Sequence, residues 1–248
     1  MTDQAFLLDL GRCIGCQACV VACKTGNELP RGAQLISLAE VTRGTFPVLE
    51  GGWDNRRCYH CADAACVDVC PTRALFKEDG LTRLDRSICS GCGYCVEACP
   101  FDVPAMVDGL SSKCDGCAAA VGAGGQPWCV TTCPSRALEY GDREDIVAKA
   151  NARALDLRER YPNASVYGET EAGGLGMLVV TPDEPEFFGL PTDPGPALVT
   201  GVWQQAVQPL SVVAIALTAI GAGVAALIAR RNHLAEVRQL EAQGPGEE

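Results

Sequence analysis

Apolar and polar positions are distributed unevenly along these 248 residues. From Gly195 to Ala229 there is no charged residue, and Pro209–Ala229 is a continuous apolar run. About 20 such residues cross the hydrocarbon core of a bilayer, so the run predicts one membrane-spanning helix. A buried helix of a soluble domain is the competing reading, but so long an uncharged run is hard to enclose in a small domain. Trp203 precedes the span at interfacial depth, and Arg230 and Arg231 close it. Gly221, Gly223 and many alanines suit close packing against other membrane helices. With no ionisable group inside it, the helix is read as an anchor.

Upstream, Ile146, Val147, Ala150, Ala154 and Leu157 recur at helical spacing. They predict a helix over 142–161, with Asp142 as its N-cap, Asp145 in the first turn and Pro162 at its stop. Lys149, Arg153, Arg158 and Glu159 form its solvated face. Gly176–Val180 reads as a short apolar strand, and Thr181–Pro196, rich in proline and acid, as an ordered linker. A weak alternation at Leu35–Val41 predicts a strand or hairpin. Trp53 is either core filling or a cover over a cofactor site.

Residues 1–140 have no long periodic stretch; cysteine organises them instead. Sixteen cysteines fall into four groups of four. Cys13, Cys16, Cys19, Cys23 and Cys89, Cys92, Cys95, Cys99 both follow C-x2-C-x2-C-x3-C, the spacing of bacterial ferredoxin runs. Cys58, Cys61, Cys66, Cys70 widen the middle gap, and Cys114, Cys117, Cys129, Cys133 open it into a loop. Pro71, Pro100 and Pro134 follow the last cysteine of their groups. Such loops set three thiolates around one iron–sulfur cluster, while the fourth cysteine points to another. Disulfides fit poorly, because cysteine pairs this close make poor bridges. Zinc uses C-x2-C pairs but has no need of a fourth cysteine followed by proline.

Thr72–Phe76 and Ser135–Tyr140 repeat a T/S-R-A-L theme with an aromatic residue, which marks an internal duplication. Two ferredoxin-like units follow, one inserted in the other if the first and fourth groups pair and the second and third pair. Low aromatic content (6%) means that metal ligation there replaces much of an apolar core, so folding requires the cofactor. The formal charge of −11, made more negative by clusters, argues against nucleic acid as a partner. Met1–Leu10 shows no basic stretch, signal-length apolar run or twin arginine, so export is expected to depend on another chain. Acidic Asp183, Glu184, Glu186 and Asp193 before the span, with Arg230, Arg231 and Arg238 after it, place the tail in the cytoplasm and the cysteine region outside.

The four groups in this order resemble the iron–sulfur subunits of molybdopterin oxidoreductases of the dimethyl-sulfoxide-reductase family. The matching segments are 58–71, 89–104 and 114–134. Tyr161–Tyr167, Gly173–Val180, Leu190–Pro191 and the Trp203/Pro209/Leu210 entry to the span are similar to the beta subunit of membrane-bound respiratory formate dehydrogenase. The chain departs from that pattern mainly by brevity at the N-terminus and in several loops. The resemblance implies four [4Fe-4S] clusters. The first is held by Cys13, Cys16, Cys19 and Cys133, and the second by Cys23, Cys114, Cys117 and Cys129. The third is held by Cys58, Cys61, Cys66 and Cys99, and the fourth by Cys70, Cys89, Cys92 and Cys95. Cys92 stands where nitrate-reductase relatives carry tryptophan and a three-iron cluster. The resemblance also implies partners: a molybdenum or tungsten catalytic subunit beside the first cluster, and a membrane cytochrome b beyond the fourth.

The expected fold class is α+β. Residues 1–141 form the four-cluster domain, 142–197 a helix, strand and linker, 198–231 the membrane anchor, and 232–248 a polar tail. No catalytic residue is expected; the chain reads as an electron-transfer subunit of an oxidoreductase complex, with formate oxidation as the leading chemistry. The alternatives are a quinone-linked hydrogenase, a reductase of polysulfide, thiosulfate or dimethyl sulfoxide, and a zinc-stabilised scaffold. His60, beside Cys61, either donates a hydrogen bond to sulfur or is simply packed there. Lys113 and Arg57, each preceding a cysteine group, are either surface cations or electrostatic tuners, and His233 is incidental.

Overall fold

The computed structural model describes residues 3–195 and 207–242, which fall in two compact units, Met1–Leu198 and Val199–Glu248. The first unit opens with β1 (Gln4–Asp9), α1 (Ala18–Gly26) and the paired strands β2 (Ile36–Thr45) and β3 (Val48–Arg57). It continues with α2 (Ala65–Asp68), β4 (Leu75–Glu78), β5 (Leu81–Leu84), α3 (Tyr94–Ala98), β6 (Ala105–Val107) and β7 (Leu110–Ser112). After α4 (Ala118–Gly122) and α5 (Trp128–Thr131) come β8 (Leu138–Asp142), α6 (Arg143–Arg158), β9 (Ser165–Tyr167) and β10 (Met177–Thr181).

A four-stranded sheet of order β8–β1–β10–β9 holds this unit together. β1 runs parallel to β10, with Phe6 opposite Met177, and antiparallel to β8, with Leu8 opposite Leu138. Consecutive apolar residues in β1 and β10 fit strands covered on both faces. On one face Ala5, Leu7, Leu178 and Val180 meet Ile146, Ala150, Ala154 and Leu157 of α6. On the other, Phe6, Leu8, Met177 and Val179 join a cluster that includes Cys19, Cys23 and Cys129. The buried Asp9 carboxylate at the end of β1 pairs with Arg153 of α6 at 2.7 Å and with Arg12 at 3.3 Å.

Residues 142–197, set apart in the sequence reading, are integrated into this unit: they supply α6 and two of the four strands. α6 has Asp142 as its N-cap, whose carboxylate accepts from Glu144 N at 3.0 Å, and it ends at Arg158, short of the expected Tyr161. The segment after β10 is tied down by buried Phe188 and Leu190; Gly52 of β3 leaves the space that the Phe188 ring fills. The alternation at Leu35–Val41 belongs to a ten-residue ladder, from Ile36 opposite Arg57 to Thr45 opposite Val48. Two shorter hairpins turn at Asp79-Gly80 and Asp108-Gly109, all four residues having positive φ. That is the signature of a tight two-residue turn.

The second unit contains α7 (Gln208–Ala242). Within it Leu210–Ala235 is long and apolar enough to cross a membrane: its most apolar 18-residue window has a mean hydropathy of 2.5, and none of that window is buried within the unit. Thr218 Oγ1 donates back to Ala214 O at 2.8 Å, which satisfies its hydroxyl inside the helix. The helix runs on past Arg230 and Arg231 to Ala242, through residues expected to begin a polar tail. Trp203 and residues 243–248 lie outside the described residues.

Candidate cluster-binding sites

All sixteen cysteines are free of disulfides. Each group opens on the same backbone turn, with the second residue after the first cysteine at positive φ: Gly15 (68°), His60 (52°), Gly91 (69°) and Gly116 (73°). The turn folds the chain around a point, and glycine is the residue that adopts it without strain. The exits repeat as well. Arg73 and Arg136, at φ 57° and 52°, donate their N–H groups to Cys70 O and Cys133 O. Thr72 and Ser135 place hydroxyls 3.8 and 3.7 Å from the sulfurs of Cys70 and Cys133. The duplicated sequence theme is therefore also a duplicated local structure.

The structure brings cysteines from distant groups together. Cys13, Cys16, Cys19 and Cys133 line one cavity, and Cys70, Cys89, Cys92 and Cys95 line another. Cys23 is buried among Cys114, Cys129 and Cys117; burial first, and then these neighbours, push its thiol up to about 12. Burial likewise raises Cys61 to about 12, helped by Cys58, Cys66 and Cys99. Thiols raised in this way stay protonated at neutral pH unless a metal displaces the proton, so loading such sites releases protons. Among the described residues no group of three or more Cys, His, Asp or Glu side chains is arranged to hold a single ion. Thiols of the expected sets also act on one another: Cys19 on Cys129, Cys58 on Cys114, and Cys95 on Cys66.

Two cations are buried among these sulfurs. Arg57 (2% exposed) points Nη2 at Cys19 Sγ, 3.6 Å away, and its Nε and Nη2 both donate to Asn55 Oδ1 at 3.0 and 2.7 Å. Burial alone would lower its pKa, but Cys129, Cys19 and Cys114 outweigh that and raise it. Lys113 (4% exposed) reaches Cys58 Sγ at 3.5 Å and the carbonyls of Thr82 and Cys114 at 2.7 and 2.6 Å. Among the described residues neither cation pairs with a carboxylate. A buried charge without a counter-charge is strongly destabilising. Thiolate-bound clusters supply negative charge where these side chains point, so the residues fit the group.

Smaller polar partners were not visible in the sequence. Asn27 Nδ2 lies 3.5 Å from Cys23 Sγ, the Cys95 thiol donates to Ser111 Oγ at 3.2 Å, and Ala137 N–H points at Cys133 Sγ at 3.2 Å. Only the hydroxyl two residues after Cys70 and Cys133 repeats in a way that could have revealed its role. Trp53 packs over Gly15 in the first loop, and Trp128 over Gly26 at the end of α1. His60 is fully buried, and burial is the main cause of its lowered pKa. His233 lies on α7, away from any cysteine in sequence.

Two families described as 4Fe-4S dicluster domains match residues 50–143 and 12–74. The formate dehydrogenase iron–sulfur subunit of Haemophilus influenzae is 32% identical over 238 residues, covering 86% of this chain and 76% of that protein. The nitrate-inducible formate dehydrogenase iron–sulfur subunit of Escherichia coli K12 is 31% identical over 243 residues, covering 88% and 83%. The B subunit of the anaerobic dimethyl sulfoxide reductase of Escherichia coli K12 is 36% identical over 159 residues, covering 60% and 78%.

Proposed function

Because the chain belongs to the family of formate dehydrogenase iron–sulfur subunits and their dimethyl sulfoxide reductase relatives, we propose that it is the electron relay of a membrane-bound formate dehydrogenase. The relay runs between a molybdenum or tungsten catalytic subunit and a membrane cytochrome b. Each four-iron cluster, when bound, accepts and releases one electron at a time. The chain contributes the wiring: Cys13, Cys16, Cys19 and Cys133 hold the first cluster, and Cys23, Cys114, Cys117 and Cys129 the second. Cys58, Cys61, Cys66 and Cys99 hold the third, and Cys70, Cys89, Cys92 and Cys95 the fourth. The observation that carries this reading is the pair of buried cations, Arg57 and Lys113, aimed at sulfurs and without a carboxylate partner among the described residues. Asn55 and the peptide carbonyls orient those cations, which are buried from water.

The anchor α7 would hold the relay at the membrane, with its C-terminal end cytoplasmic and the cysteine region on the other side. Formate as the substrate of the complex is favoured by coverage: the formate dehydrogenase relatives align over 86–88% of the chain. A second reading has its own support, since the dimethyl sulfoxide reductase B subunit is more identical, at 36%, over its shorter alignment.

The test is anaerobic. The native complex is solubilised, iron and acid-labile sulfide are counted per chain, and absorbance is followed after adding formate and then dithionite. Bleaching by formate equal to that by dithionite supports formate oxidation. Bleaching by dithionite alone, with four clusters' worth of iron, leaves the relay standing and sinks formate, with hydrogen or a sulfur compound to be tried next. Zinc in place of iron sinks the relay.

A further inference from the structure

The second and third cysteine sets meet across a buried polar gap, and one residue of β5 organises it. Thr82 N–H donates to His60 Nδ1 at 3.1 Å, and Thr82 C=O accepts from Lys113 Nζ at 2.7 Å. With Nδ1 accepting, the ring proton of neutral His60 sits on Nε2. That Nε2 is buried with no hydrogen-bond partner among the described residues, and the thiol that acts most on the ring is that of Cys114. Lys113 Nζ, from the other side, donates to Cys58 Sγ at 3.5 Å.

The two residues are cross-rooted. His60 immediately precedes Cys61 of the third set and is acted on by Cys114 of the second; Lys113 immediately precedes Cys114 and donates to Cys58 of the third. His60 also holds a position that is glycine in the three sister loops, although its φ is 52°. A side chain kept at a strained backbone position points to a use for that side chain. Its ring is fixed by stacking on Phe6 (centroids 5.9 Å apart, planes 14°) and by Gly176, whose missing Cβ makes room for His60 Cβ.

Building on the four-cluster reading, we infer that His60 and Lys113 are reciprocal positioning donors, each anchored in one cluster's loop and donating to a thiolate of the other. A donor to a ligating sulfur stabilises the more negative, reduced state and raises the potential. The pair therefore keeps the two middle clusters poised against each other at the junction between the two ferredoxin-like units.

The test is potentiometry followed by electron paramagnetic resonance on the intact complex. The two middle signals are assigned beforehand with Cys129→Ser and Cys66→Ser. His60→Asn keeps a residue that tolerates positive φ but is too short to reach Cys114. It is expected to lower only the cluster assigned by Cys129→Ser, by about tenfold in its reduction equilibrium, or 59 mV for one electron. Lys113→Met is expected to lower only the cluster assigned by Cys66→Ser, and Lys113→Arg to restore most of that shift. If His60→Asn loses iron, His60→Gly, the residue of the sister loops, serves in its place. A shift in the cluster ligated by the residue's own loop, a uniform shift of all signals, or unchanged potentials with full iron would each overturn the inference. A wild-type complex without four clusters would overturn the reading beneath it before any variant is made.

Discussion

The two faces of the central sheet are built on different principles. Toward α6, Ala5, Leu7, Leu178 and Val180 pack against Ile146, Ala150, Ala154 and Leu157, an ordinary apolar core whose stability lies in side-chain burial. Toward the cysteine loops, Phe6, Leu8 and Val179 pack against thiols, and the polar groups nearby are buried cations facing sulfur. Adjacent residues of β1 thus serve a core complete in itself and a core that needs negative charge from a metal cluster. The fold therefore depends on its cofactor on one side of a single strand.

Removing iron separates the two faces most strongly. Anaerobic chelation is expected to abolish protection of the amides in the cysteine loops and in β4–β7, because metal binding there is folding free energy. Amides of α6 and β10 are expected to stay the more protected. Hydrogen exchange of the apo and loaded chains measures both regions at once, and uniform protection in the apo chain would show the two faces to be equivalent.

The next effect comes from the other face. Ile146→Ala empties a fully buried site beneath α6 and is expected to cost about 3 kcal/mol. Because Ile146 belongs to an apolar cluster that contains no cysteine, iron content and cluster spectra should be unchanged while the thermal midpoint of the loaded chain falls. Altered cluster spectra would mean that the faces are coupled through β1. Asp9→Asn acts where α6 is pinned to the strand end: its carboxylate is 1% exposed and pairs with Arg153. The expected loss is about 2 kcal/mol, read from denaturant midpoints, since Arg153 is itself partly solvated.

The same contrast governs what the sequence made legible. The cysteine loops were readable because their signal is local: ligand spacing and, in three of the four groups, the proline after the last cysteine. α6 was readable for the same reason, through Asp142 and the Ile146–Leu157 periodicity. The parallel pairing of β1 with β10 joins residues about 170 positions apart, and nothing in either strand names the other. That is why 142–197 read as a separate segment. Asp79-Gly80 and Asp108-Gly109 carried a hairpin signal that cysteine spacing overshadowed. Arg57, Lys113 and His60 stood out as neighbours of cysteines, yet each serves a thiol of another group, a relation only the fold creates.

The joint between the two faces is a single residue. Asp142 ends β8, opposite Gln4, and in the same residue caps α6 by accepting from Glu144 N. The chain therefore passes from a strand whose first residues neighbour Cys133 into the helix of the apolar core with no intervening loop. Asp142→Ala leaves the first turn of α6 without that acceptor and is expected to cost about 1 kcal/mol, with Asp142→Asn nearly neutral. Thermal unfolding of the loaded chain distinguishes the two substitutions. A loss confined to stability, with iron content intact, means that the joint belongs to the α6 face; loss of iron at Cys133 would mean that the strand carries strain from the helix end into the cysteine loop.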